Sequence, residues 1–259
     1  GVITARSGIR IGATGANQLI SGNANAIGFG EADPSPFGGE YRGIDVAYKG
    51  SGISGRTGNP TFTMRSNIYY DGSNWKYGEG NTTAGVLSVG GAQLIFESAA
   101  SGTAGATATI TEKFRIDTSG NVTKPAHPVF DAARDGGNVS GGNYIVYDTV
   151  IVNNGNHYNN SNGRFTAPVT GVYFFSFGCI KSGNNNLARL YLRKNGSSSG
   201  FAQDRHLRMP TGGDGYGENG AITYIVSLTA NDYVSVYLSE GTIHADNDNY
   251  TYFNGYLIG

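Results

Sequence analysis

The sequence has a single cysteine, Cys179, so no disulfide can close within the chain. Its place in an apolar run reads as a buried, inert thiol rather than a nucleophile. Charge is scarce as well. Only 14% of residues are charged and the net charge is -1, which removes the electrostatic argument for nucleic acid or an anionic membrane as partner. No run of about 18 apolar residues is present, so no transmembrane helix is expected. The first residues lack the basic-then-apolar pattern of a secretory leader, and Gly1 suggests a piece of a longer chain. Prolines number seven, and the 42 glycines do not recur at every third position, which excludes a collagen triple helix. Long helical periodicity is missing throughout.

What remains is rich in Gly, Asn, Ser, Thr and Tyr, the composition of short strands joined by turns, and the chain reads as all-β. Pro125 and Pro128 interrupt a strand-like pattern and divide it into residues 1–124 and 125–259. From Lys76 to Glu112 large apolar residues are too few to close a private core against the entropy of ordering the chain. That segment is either disordered or buries its strands against other chains, and runs such as Val86–Val89 favour the second. Tyr41, Tyr48, Phe62, Tyr69, Tyr70 and Trp75 suggest a small compact unit near residues 41–75. After Pro128, strands are expected over Tyr144–Val152, Val172–Ile180, Ala188–Arg193, Ala221–Leu228, Tyr233–Leu238 and Tyr250–Ile258. Tight turns are expected at Asn195-Gly196 and Asn231-Asp232. Evenly spaced short strands of this kind form a sandwich or jelly roll.

Residues 165–177, FTAPVTGVYFFSF, make both faces of one strand largely apolar. The spacing of Asn153, Tyr158, Phe165, Gly171, Tyr173, Phe175 and Phe177 resembles the signature of complement C1q globular heads; Tyr147 stands where that signature has Phe. The resemblance covers about half of the chain. It implies a jelly-roll head related to tumour necrosis factor and assembled as a homotrimer, with one strand face in the sandwich core and other aromatic strips against neighbouring copies. Ahead of the head, Glu112-Lys113-Phe114-Arg115-Ile116-Asp117-Thr118-Ser119-Gly120-Asn121-Val122 resembles a segment common in bacteriophage tail fibres, which joins a trimeric β-rich shaft to a C-terminal module. The combined reading is an all-β, trimeric fibre shaft followed by a C1q-like head. It would lie at the tip of a phage tail fibre in the virion and adhere reversibly to a bacterial surface glycan or outer-membrane protein. Other tail proteins would join through a missing N-terminal part.

Strand parity sets three long polar loops at one end of the sandwich, Ser182–Asn186, Arg205–Gly217 and Glu240–Asn249, opposite the minimal turns. The receptor contacts expected there are Asn184, Asn185, His206, Arg208, Asp214, Tyr216, His244, Asp246, Asp248 and Tyr250. Asp246 and Asp248 also alternate as oxygen donors of the calcium-binding kind, although a hydrophilic turn is the better account of them; no other cofactor is expected. The acidic residues sit in Gly- and Asn-rich turns and no Gly-x-Ser-x-Gly elbow occurs, so no enzyme is expected. A bacterial surface or spore-coat adhesin with the same head is the alternative reading, and a glycan depolymerase a third.

Overall fold

In the computed structural model the chain divides into two compact units, Gly1–Pro125 and Ala126–Gly259. The structure describes residues 9–10, 19–22, 26–29, 35–182, 187–198, 200–201, 206–211, 219–245 and 249–259. Among these, every regular element is a β-strand.

The first unit holds β1 (Ile9–Arg10), β2 (Leu19–Gly22), β3 (Ala26–Phe29), β4 (Tyr41–Val46), β5 (Gly52–Arg56) and β6 (Thr61–Ser66). These are followed by β7 (Ile68–Tyr70), β8 (Trp75–Tyr77), β9 (Thr82–Gly90), β10 (Gln93–Gly102), β11 (Thr111–Ile116) and β12 (Val122–Thr123). Ten of them form one sheet in the order β1-β2-β3-β4-β5-β6-β9-β10-β11-β12, while β7 and β8 pair with each other. One face of the sheet is covered by a small core of Ile68, Tyr77, Ala84, Val86, Ala99 and Ala108. Beside it, Arg65 and Asp45 form a fully buried ion pair at 3.2 Å. That pair is supplied with further partners, as a buried charge requires: Asp45 accepts from the Ser35 amide, Arg65 donates to the Ile68 carbonyl, and the guanidinium lies 4.4 Å over the Phe37 ring. Of the aromatic residues expected near 41–75, Tyr41, Tyr70 and Trp75 make a triplet and Tyr69 packs on Phe37, whereas Tyr48 and Phe62 are exposed.

The opposite face of that sheet is apolar and open. Register places Ile27, Ile44, Ile53, Met64, Leu87, Phe96 and Phe114 in one row across seven neighbouring strands. Phe62, Val89, Leu94 and Ile116 make a second row beside it. Met64 is 54% exposed and Phe62 46%. The segment resembling the fibre motif is β11, a tight turn and β12. Asp117 accepts from the backbone amides of Ser119 and Asn121 and from the Asn121 side chain, and Gly120 takes the positive φ that closes the turn.

The second unit holds β13 (Val129–Ala133), β14 (Val139–Ser140), β15 (Asn143–Tyr144), β16 (Thr149–Asn154), β17 (Tyr158–Asn159), β18 (Arg164–Thr166) and β19 (Gly171–Lys181). Then come β20 (Ala188–Lys194), β21 (His206–Met209), β22 (Asn219–Leu228), β23 (Tyr233–Glu240), β24 (Thr242–His244) and β25 (Tyr252–Leu257). They make two sheets: β14-β24-β19-β25-β13-β16 with β22 also on β19, and β17-β18-β23-β20-β21 with β15 on β23. This is the all-β jelly-roll expected from the sequence.

The alternation of β19 decides what lies between the sheets. Tyr173, Phe175, Phe177 and Cys179 are buried in the core, while Val172, Phe174 and Ser176 face outward. The other signature residues pack around them. The Tyr158 and Phe165 rings stack on Phe130 at 4.9 and 5.0 Å. The Asn153 amide clamps the Tyr158 backbone from both sides, accepting from its N–H and donating to its carbonyl. The Tyr158 hydroxyl donates to the Tyr147 carbonyl and accepts from the Tyr147 amide. Gly171 is needed for space and not for a turn: a Cβ there would meet Leu257 Cδ1 at 2.8 Å and the Gly259 carbonyl at 2.9 Å.

Several strand expectations need correction. Tyr144–Val152 is not one strand: β15 pairs with β23 in one sheet and β16 with β13 in the other. The intervening chain crosses the sandwich and buries Ile145 and Tyr147 on the way. The last strand is shorter than Tyr250–Ile258. His206 and Arg208, expected in a loop, form the edge strand β21 against β20, and Thr242–His244 is a strand as well. Both segments are polar on their outer side, which hid their pairing from a reading based on apolar alternation.

Candidate functional site

Registers fix the two ends of the head. The pairs Ile180↔Asn219, Lys181↔Ile243, Ala188↔Met209, Arg189↔Glu240 and Gly178↔Tyr252 lie toward one end. Val129↔Tyr256, Gly171↔Leu228 and Lys194↔Val234 lie toward the other, with the turns at Asn195-Gly196 and Asn231-Asp232. The connections after β19, β21 and β23 therefore share the end opposite Val129.

The described part of that end is tied together by side chains. Asn138 accepts from the Ala245 amide at 3.2 Å, meets His244 Nδ1 at 3.1 Å and donates to Ser182 Oγ at 3.2 Å. The fully buried Lys181 donates to the Pro210 carbonyl at 2.7 Å, and Thr251 donates to the His244 carbonyl at 2.7 Å. Asn138 and Lys181 were not anticipated from the sequence. Their roles depend on long-range pairing of β14 with β24 and β24 with β19, which no local pattern announces.

Of the expected contacts, His244 belongs to this cluster and Tyr250 is exposed beside it. His206 and Arg208 stand on the outer face of β21. Asn184, Asn185, Asp214, Tyr216, Asp246 and Asp248 lie outside the described residues. Among the described residues, no three His, Cys, Asp or Glu side chains gather as a metal site.

A second surface was not foreseen. On the outer face of the β20/β23 sheet, register aligns Tyr144, Tyr237, Tyr191 and His206 in a row across β15, β23, β20 and β21. Tyr144 and Tyr237 are 5.1 Å apart by ring centroid, Tyr191 and His206 5.2 Å. Arg193 lies 3.6 Å over the Tyr237 ring on one side of the row, and Arg189 and Arg208 are paired on the other. Arg164 covers Tyr233 at 4.2 Å. Glu240 pairs with Arg189 at 3.1 Å.

The outward face of the other sheet is different again. Val129, Tyr256, Phe174 and Ile225 form an apolar row across β13, β25, β19 and β22. Ile225 is 67% exposed. Beside it runs a polar row of Asp131, Asn254, Ser176 and Thr223.

A two-sheet jelly roll closed by this aromatic constellation defines the class of the head, a C1q/TNF-like domain. The C1q domain profile matches residues 129–258, half of the chain, and the chain belongs to the C1q family. The human complement C1q tumor necrosis factor-related protein 3 is 28% identical over 114 residues, which is 44% of this chain and 44% of that protein; the mouse protein of the same name gives the same figures. The chain thus spans less than half the length of these relatives. Among solved structures, the globular domain of zebrafish complement 1qA is 17% identical, with 51% of this chain and 98% of that one covered and a TM-score of 0.39. Murine APRIL is 11% identical, with 51% and 99% covered and a TM-score of 0.41.

Proposed function

We propose that this chain is the distal part of a trimeric phage tail fibre, with the C1q head adhering reversibly and without catalysis to the bacterial host surface. The carrying observation is the apolar row from Ile27 to Phe114, which crosses seven strands of the unit preceding the head. A patch of this kind in water is an association surface, and a second and third copy of the same chain are its natural cover. The head carries its own open row through Phe174 and Ile225, and C1q domains are typically homotrimeric. The segment Glu112–Val122 favours a fibre over a bacterial or spore-coat adhesin.

Adhesion would act through copy number, since three heads per fibre turn weak sites into strong avidity. The purified chain is expected to sediment as a trimer, to bind envelopes of its host and to appear in purified virions by mass spectrometry. A stable monomer at micromolar concentration, or binding to no bacterial surface, overturns the reading. A trimer that is absent from virions leaves the adhesin in its place.

A further inference from the structure

The outer face of the β20/β23 sheet has the chemistry of a binding surface that the loop-end reading touches only at His206 and Arg208. Four rings, those of Tyr144, Tyr237, Tyr191 and His206, stand side by side on adjacent strands. With strands about 4.8 Å apart, the row spans about 14 Å, the length of a short oligosaccharide. Arg193 flanks it on one side and Arg208 on the other, and among the described residues no carboxylate pairs with either. By contrast, the cations next to them, Arg189 and Lys194, are already neutralised by Glu240 and Asp232. The charge left over on this face is therefore positive: it sits on Arg193 and Arg208 beside the ring row and on Arg164 over Tyr233.

We propose that this face binds an acidic carbohydrate, a polymer carrying carboxylates on its sugar rings. The proposal rests on the host-adhesion reading and names the class of receptor. Sugar rings would lie against the phenol row, whose rings, tilted by 59° and 37° within the two contacting pairs, offer apolar faces and edges with hydroxyls at the margin. The carboxylates would be met by Arg193 and Arg208, whose planar forks match that group with two parallel hydrogen bonds. Stacking on Tyr237 holds the Arg193 guanidinium in place before any ligand arrives, which lowers the ordering cost of binding. All six side chains stand on paired strands rather than loops, so their spacing is fixed by the sheet.

Nucleic acid fits less well. Its phosphates call for an extended track of cations, whereas here Arg193 and Arg208 bracket a ring row, with Arg164 as one further guanidinium, in a chain of net charge -1.

The test uses the full trimeric chain and polygalacturonate as probe, with its methyl ester as the control that keeps the sugar and removes the charge. Binding to polygalacturonate is expected, weakening at least about tenfold for the ester and for the double variant R193Q/R208Q, as loss of charge-assisted hydrogen bonds requires. Arg208 is exposed, so R208Q alone keeps the test valid if the double variant does not fold; it is expected to weaken binding about fivefold or more, on the same grounds. Equal binding to acid and ester, tighter binding to duplex DNA, or full binding by folded R208Q overturns the inference. If polygalacturonate is not bound while the chain still adheres to host cells, the acidic-sugar assignment falls and the adhesion reading stands. If it adheres to neither, both fall.

Discussion

Tyr147 is the one position where the chain departs from the C1q signature, and its environment shows the cost. The ring is fully buried among aromatic neighbours, and its hydroxyl has no hydrogen-bond partner among the described residues. Burial pushes the phenol well above its ordinary pKa, so it stays protonated at any physiological pH. A buried hydroxyl without a partner costs about 1–3 kcal/mol. Replacing Tyr147 with Phe is therefore expected to stabilise the head by about that amount, read as a higher urea midpoint with an unchanged slope. The Tyr158 hydroxyl, of the same type, is bonded to the Tyr147 backbone on both counts, and Tyr158→Phe is expected to destabilise the head. Cys179 is the matching case among thiols. Burial pushes its pKa up to about 12, and the expected result is no reaction with a thiol reagent until the head unfolds. Labelling of the native chain at the unfolded rate would contradict its place in the core.

At the scale of elements, the turn end of the head is held by one carboxylate. Asp232 takes hydrogen bonds from Lys194 Nζ at 2.7 Å, from Asn195 Nδ2 at 2.8 Å and from the Thr229 amide at 2.7 Å, linking the turn after β20 to the turn before β23. The bond from Lys194 is foremost in lowering the Asp232 pKa to about 2. A carboxylate with a depressed folded pKa contributes stability that is complete above its unfolded value, near 4, and is lost as pH falls toward 2. Asp232→Asn is expected to remove that part of the acid sensitivity, measured as a smaller fall in thermal midpoint between pH 4 and pH 2 than the native head shows. A fall of the same size would mean that other carboxylates account for all of it.

Elements of this kind were readable in advance where one strand carries its own pattern. The alternation of β19, β20, β22 and β23 and the two Asn turns, with Asn195 and Asn231 at positive φ, are local signals. The edge strand β21, the short β24 and the crossing between β15 and β16 are not, because each is defined by a distant partner. The same limit hid the ring row. Tyr144, Tyr191 and Tyr237 look like scattered tyrosines until register sets them side by side.

For the molecule as a whole, the open rows make a demand that a single copy does not meet. Ile225 is the most exposed of the large apolar side chains among the described residues, so a substitution there leaves the sandwich core untouched. Ile225→Glu is expected to shift the chain toward monomers in sedimentation while its circular dichroism stays native, since a charge at the centre of an apolar contact costs more than the contact returns. An unchanged trimer would move the contact to another face.

The division of the head into a turn end and a loop end also has a bearing on descent. The turn end is minimal and locked through Asp232, and the aromatic core closes the fold between the ends. The connections at the other end leave and rejoin strands that are already paired. Lengthening such a connection costs only about 0.6 kcal/mol for each doubling. A lineage could therefore rewrite that end again and again while inheriting the same scaffold underneath.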